Sequence, residues 1–195
     1  MKNFKSHIVL LFILIFSLKA TAQYQPKNLS KSDLKKANDW VTQTYNSLSQ
    51  DEKLRQLFIV ALYTNKGEDD INNVRNILVN EKIGGIILMQ DDAAREISLV
   101  NDFQSKSKVP LMIGMDAEWG LYQRIAAAHK FPWAMTLGAI QDKSLIKEMS
   151  SKIAEDCLRL GINWYFAPVL DVNTNPNNPI IGNRSFGSEV EYVLN

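Results

Sequence analysis

Residues 113–124 read Ile-Gly-Met-Asp-Ala-Glu-Trp-Gly-Leu-Tyr-Gln-Arg, so two carboxylates, an indole and a guanidinium fall between Asp116 and Arg124. Asp116 and Glu118 can accept hydrogen bonds from vicinal hydroxyls, and Arg124 can donate from a rigid fork. Trp119 offers a flat face to apolar C–H surface. Such a set suits a polar, hydroxyl-bearing ligand, and a salt-bridged surface loop is an equal alternative. A second cluster is Phe166-Ala167-Pro168-Val169-Leu170-Asp171-Val172, where one carboxylate leaves an apolar run. A carboxylate in that setting needs a partner or water. An ion pair is the first role to expect of Asp171, and a direct ligand contact the second. The third cluster, residues 173–187, combines asparagines and prolines with Ile181-Gly182-Asn183-Arg184-Ser185-Phe186-Gly187. So much turn chemistry makes a shaped surface loop, from which Arg184 could clamp a ligand or pair with Asp171.

Other chemistries lack their residues. Ile83-Gly84-Gly85-Ile86 has neither dinucleotide-binding nor Walker spacing, and there is no G-x-S-x-G elbow. His7 falls in the N-terminal apolar segment, while His129 has no triad partners and reads as solvated or structural. The lone Cys157 excludes an internal disulfide and reads as a small buried residue on a helix. No Cys/His cluster has metal-ligand spacing, and no cofactor is expected.

The elements that must position these clusters follow from periodicity. A capping box, Ser49-Gln50-Asp51-Glu52, opens a short helix before the apolar run 57–62. Helical spacing is then expected over 70–80, 93–103 and 144–160, the last closed by Gly161. Strands are expected at 84–89, 109–115 and 162–172. Continuous apolar strands alternating with amphipathic helices imply a parallel β/α architecture with both sheet faces covered. Four such units fall short of the eight of a closed barrel, so an open doubly wound sheet is the simpler reading of the residues alone. Each of the three clusters sits where such a protein places function, past the C-terminal end of a strand.

The 195-residue chain has room for a real core, and its net charge of +1 gives no reason to expect nucleic acid or an anionic membrane as partner. At the N-terminus, Lys2 and Lys5 precede the apolar stretch Ile8–Leu18, and Ala20-Thr21-Ala22 offers a small-x-small cleavage site. Residues 1–22 are thus expected to be a signal peptide cleaved after Ala22, leaving a periplasmic or secreted chain with no membrane span. Residues 23–47 follow as a linker and N-terminal helix, the helix from about Ser32 to Ser47.

From about Leu48 onward the clusters, in order and wording, resemble the bacterial β-N-acetylglucosaminidase branch of glycoside hydrolase family 3. The matching pieces are Ile83-Gly84-Gly85-Ile86-Ile87-Leu88, Asp116-x-Glu118-x-Gly120 with Arg124, and Phe131-Pro132 with Leu137-Gly138-Ala139. Leu160-Gly161-Ile162-Asn163, the 166–172 run, Asn175-Pro176 and Arg184-Ser185-Phe186-Gly187 complete the series. The resemblance implies a (β/α)8 barrel, of which residues 48–195 would be the first half, and retaining hydrolysis of β-linked sugars. It also implies that Asp116 holds hydroxyls of the terminal sugar, and that Arg124 and Arg184 belong to the same pocket. Glu118 and Asp171 would support its wall. The substrate would be a β-linked amino sugar or glucoside. The family's usual Asp-Gln-Glu-Gly-Gly-Arg is Asp116-Ala117-Glu118-Trp119-Gly120-Leu121 here, so an arginine is lost and an indole gained. The acid/base pair and the aspartate nucleophile implied by the resemblance would follow Asn195. The chain is accordingly expected to be the sugar-holding part of an enzyme, inactive alone; a non-catalytic carbohydrate-binding protein is the competing class.

Overall fold

The computed structural model describes residues 30–90 and 92–194, so the expected signal peptide lies outside the described residues. Four strands form one parallel sheet, β1 (Ile59–Leu62), β2 (Gly85–Leu88), β3 (Met112–Met115) and β4 (Trp164–Tyr165), in the order β1-β2-β3-β4. Helices α1 (Lys31–Ser47) and α2 (Gln50–Arg55) precede the sheet. Then α3 (Glu68–Glu81) links β1 to β2, and α4 (Ala93–Lys106) links β2 to β3. A long loop, the short α5 (Ala134–Gly138) and α6 (Lys143–Arg159) link β3 to β4, and α7 (Val190–Leu194) comes last.

The strand order decides between the two β/α folds. A doubly wound sheet reverses direction once, which sends helices to both faces. Here each strand is added on the same side as the one before, and right-handed crossovers then place every connecting helix on one face. That is the winding of a barrel, and the fold is the first part of a TIM-type β/α barrel. The open-sheet reading is overturned, and the expectation of two covered faces holds for one face only. Val60, Ile86 and Ile113 are in register, as are Leu62, Leu88, Met115 and Tyr165. These side chains form one core with Ile71, Val74 and Leu78 of α3, Val100 and Phe103 of α4, and Ile153 and Cys157 of α6. Alternation sends Ile59, Met112 and Trp164 to the opposite face, where they are 38%, 42% and 42% exposed.

Two strands are shorter than their apolar runs. Leu57 and Phe58 donate to the carbonyls of Leu54 and Arg55, so they finish α2 instead of starting β1. The expected strand over 162–172 pairs only at Trp164–Tyr165. β4 has a neighbour on one side alone, and that neighbour's ladder ends where Phe166 N donates to Met115 O at 3.0 Å. Pro168, lacking an N–H, could not extend it.

Side-chain amides complete the backbone pairing of β3. Asn163 accepts from Ile113 N at 2.8 Å and donates to Leu111 O at 3.2 Å. Gln104 of α4 makes the same double contact on Leu111, at 2.9 and 3.0 Å. The adjacent glycines at the entry to β2 answer to close approach: a Cβ on Gly84 would lie 2.0 Å from Gln56 O, and one on Gly85 2.3 Å from Met112 O. The expected helix end at Gly161 is a Schellman motif, with Gly161 at φ +75°, Gly161 N donating to Leu158 O and Ile162 N to Cys157 O. Cys157 is buried as expected, and burial pushes its thiol up to about 11.

Below the N-terminal ends of the strands, the Ser49–Glu52 capping box is present, and its glutamate does more than cap. Glu52 Oε1 also takes Lys82 Nζ at 2.7 Å and Lys108 Nζ at 3.5 Å, so it ties α2 to the segments that enter β2 and β3. The hydrogen bond from Lys82 and that from Ser49 N hold its carboxyl at about 2, below the 4.5 of a free glutamate.

Two outcomes are expected. Purified residues 30–195 should self-associate and bind a hydrophobic dye through the uncovered Ile59–Met112–Trp164 face; a sharp, reversible melt of a dye-free monomer would contradict this. In the whole natural protein, Glu52→Gln should lower the melting temperature at pH 7. Because the native carboxyl titrates below its unfolded value, the difference should persist above about pH 4.5 and vanish as pH falls towards 2. A pH-independent difference would show that the charge is not what ties α2 down.

Candidate functional site

β3 ends at Met115, and the chain turns at once. Gly120 N donates to Ala117 O at 2.9 Å, which makes Glu118 and Trp119 the two corners of a tight turn at the C-terminal end of the sheet. Three contacts fix the turn. Ala117 is fully buried, and its carbonyl also accepts from Tyr165 Oη of β4 at 2.7 Å. Gln123 Oε1 takes Glu118 N at 2.7 Å. Gly120 sits at φ +80°, where a Cβ would also lie 2.6 Å from the Phe131 ring, so glycine is required twice over. Burial pushes the Tyr165 phenol up to about 12.

Two ion pairs emerge from this turn. Arg124 Nη2 meets Asp116 Oδ2 at 2.7 Å, while its Nε reaches Asp116 O at 3.3 Å. The arginine is the more covered partner, with 14% of its side chain exposed against 39% for the aspartate. Asp116 Oδ1 has no hydrogen-bond partner among the described residues and faces accessible space. Arg184 grips Glu118 in a fork, with Nε at 2.9 Å from Oε2 and Nη2 at 2.7 Å from Oε1. Glu118 raises the guanidinium above its ordinary value chiefly through these hydrogen bonds, and the charges of Asp171 and Asp116 add to the effect. Arg184, a cation at any ordinary pH, is held by this fork in one orientation.

Of the expected site residues, Asp116, Arg124, Glu118 and Arg184 thus gather at the end of β3, drawn from segments up to 66 residues apart. Asp171 does not make the ion pair expected of it, although its charge still acts on Arg184. Its carboxylate is exposed and takes no ion pair among the described residues, because Glu118 at the turn corner already occupies the guanidinium of Arg184. Asp171 supports the loop through its backbone instead: Ser185 Oγ donates to Asp171 O at 2.6 Å, and Asn173 N to Gly187 O at 2.9 Å. His129 is exposed and stands edge-on to Phe131 at 4.6 Å, in line with a structural role.

Several contributors escaped sequence reasoning. Ser185 is fully buried and anchors the loop that carries Arg184. Gly138 touches the same loop: a Cβ there would lie 1.9 Å from Phe186 O, so the end of α5 and this loop meet backbone to backbone. Gln123 and Tyr165 hold the turn. Only Gly138 and Ser185 carried a signal, their place inside the matching motifs. No group of three or more potential metal ligands occurs among the described residues.

The arrangement is electrically balanced. Two carboxylates and two guanidiniums cancel in pairs while leaving acceptors on Asp116 and donors on Arg124 and Arg184. Such a site offers little net field to an anion, yet it can both accept from and donate to a neutral polyhydroxylated ligand.

Comparison with known proteins agrees with this architecture. Residues 49–195 match the glycosyl hydrolase family 3 N-terminal domain. A beta-N-acetylglucosaminidase/beta-glucosidase of Cellulomonas fimi is 33% identical over 154 residues, which is 79% of this chain and 27% of that protein. A beta-hexosaminidase A of Pseudoalteromonas piscicida is 42% identical over 124 residues, 57% of this chain and 21% of that protein. The chain thus spans about a quarter of the length of these relatives. Among solved structures, a beta-glucoside phosphorylase, BglX, aligns with TM-score 0.73 at 28% identity over 88% of this chain and 29% of its own. A family 3 beta-N-acetylglucosaminidase from Paenibacillus aligns with TM-score 0.63 at 31% identity, covering 75% of this chain and 29% of its own. With most of its length inside the family's domain and its strands wound as the first part of the barrel, the chain belongs to glycosyl hydrolase family 3.

Proposed function

We propose that the protein carrying this chain is an exported glycosidase that removes terminal β-linked N-acetylglucosamine with retention of configuration. Within it, residues 48–195 hold the sugar. The observation that carries this reading is Asp116: a half-exposed carboxylate at the end of a barrel strand, with one oxygen fixed by Arg124 and the other open. An open carboxylate oxygen accepts from a sugar hydroxyl, and the fixed one keeps the group from rotating away. Arg124 lends its remaining N–H groups, and Arg184, clamped by Glu118, presents a second donor fork. These contacts position the ring without touching the bond that breaks. Retaining hydrolysis also needs a nucleophile and an acid/base group about 5–5.5 Å apart. Asp116 and Asp171 could supply two carboxylates, but Asp116 is committed to Arg124, and Asp171 is bonded only through its backbone. The family resemblance gives Asp116 a sugar-holding role and neither catalytic one.

A β-glucoside is the second reading of the substrate. The Cellulomonas fimi relative is named for both activities and BglX for a glucoside reaction, so both support it. Nothing in the four charged groups distinguishes the two sugars, because discrimination at the acetamido group needs contacts of its own.

For the whole natural protein, Asp116→Ala should lower kcat/KM on an aryl β-N-acetylglucosaminide at least about 100-fold, as loss of a charged contact to a sugar hydroxyl does. Faster turnover of the matching aryl β-glucoside would move the assignment to the second reading. Hydrolysis by purified residues 30–195 alone would overturn the division of labour, and sugar binding without turnover by the whole protein would leave a carbohydrate-binding role. Glu118→Gln and Arg184→Lys should each raise KM about tenfold, and the double variant should be no worse than either, since each breaks the same fork. Additive losses would show that Glu118 acts apart from Arg184.

A further inference from the structure

The turn that presents Glu118 presents a second side chain that the charged network does not use. Trp119 occupies the other corner, and its indole packs against Trp133 with ring centroids 4.0 Å apart and planes tilted by 41°. The pairing is built in. Phe131 N donates to Trp119 O at 3.1 Å, which folds the loop back so that Trp133, two residues on, arrives beside Trp119. Trp133 is the N-cap of α5, whose other end meets Phe186 through Gly138. Both tryptophans are therefore tied to the Arg184 loop, one through its neighbour Glu118 and one through α5.

Core filling does not account for them. The same loop buries Ala117, Leu121 and Ile125 at 0%, 3% and 2% exposure, and these join the main core. Trp119 and Trp133 stay half-buried and outside it. Neither indole N–H has a hydrogen-bond partner among the described residues, so each keeps a donor to offer beside its face. Aromatic rings with one wet edge suit ligands that are apolar on one side and polar at the rim. A pyranose ring is such a ligand: its axial C–H bonds form an apolar face, and its hydroxyls lie around the edge.

Resting on the reading of the site as a sugar pocket, we propose that Trp119, backed by Trp133, is a stacking platform for the C–H face of a pyranose ring and so determines specificity. The ring is either the terminal sugar or the one it is linked to; the chemistry of contact is shared. Trp133 fixes the tilt of Trp119, and the open indole edge donates to a ring hydroxyl. Aromatic stacking of this kind changes affinity by about tenfold.

The test uses the whole natural protein with Trp119→Leu and Trp119→Phe, and Asp116→Ala as a control. KM and kcat are measured on the β-1,4-linked disaccharide of N-acetylglucosamine, together with inhibition by free N-acetylglucosamine. Trp119→Leu should raise KM about tenfold with kcat within about threefold of wild type, while Trp119→Phe, which keeps a ring, stays close to wild type. Weaker inhibition by the monosaccharide would place the platform under the terminal ring; unchanged inhibition would place it under the second. Wild-type KM for Trp119→Leu would overturn the proposal, as would equal damage by both variants accompanied by equal losses of melting temperature, the signature of packing alone. If Asp116→Ala is also silent, the sugar-pocket reading itself falls; if Asp116→Ala is damaging and Trp119→Leu is not, only the platform does.

Discussion

The end of β3 is where the rest of the molecule converges, and its position depends on complete backbone pairing. β2 pairs along one edge of β3, β4 pairs along the other for two residues, and the amides of Gln104 and Asn163 take over where the strands stop. An unpaired buried peptide group costs about as much as a lost hydrogen bond, so these amides extend a short sheet into a stiff one. The reward is local. The residue after Met115 leaves a strand that cannot slide, and the turn from Ala117 to Gly120 inherits that precision through the Tyr165 hydroxyl and the Gln123 amide.

From that turn the site spreads outwards by charge and by backbone contact. The Glu118–Arg184 fork joins the loop after β3 to the loop after β4, a connection that neither could make by itself. Buried Ser185 and the close approach of Gly138 to Phe186 set the height at which Arg184 crosses. Surface ion pairs are usually worth little, because two long side chains must be ordered in water. This one differs in that Glu118 is largely covered and its turn is already rigid, so little freedom remains to be lost. The pair acts as a spacer that fixes one loop against the other.

The same one-way winding that places every loop end on one side also leaves an apolar sheet face uncovered. Ile59, Met112 and Trp164 stand where a barrel has its interior. A face of this kind is favourable only when other side chains remove it from water. The charged loops and the apolar inner face are two consequences of a single topology, since helices confined to one side leave the opposite side for a barrel's filling.

Much of this was readable from residue order. Helix periodicity located α3, α4 and α6 because each presents its apolar face to the same sheet, and the capping box and Gly161 marked ends through local backbone chemistry. The charged residues of the site stood out by their place after apolar strands, where a salt-bridged loop was an equal reading, and the family resemblance singled them out. The limits were equally physical. Strand ends depend on where a neighbour stops, so the run 162–172 looked like one strand and pairs over two residues. The choice between an open sheet and a barrel rests on strand order, which periodicity does not encode. Partnership was invisible for the same reason. Asp171 is the mate that residue order offers Arg184, and only the turn closed by Gly120, which brings Glu118 within a hydrogen bond of a residue far along the chain, gives that place to Glu118.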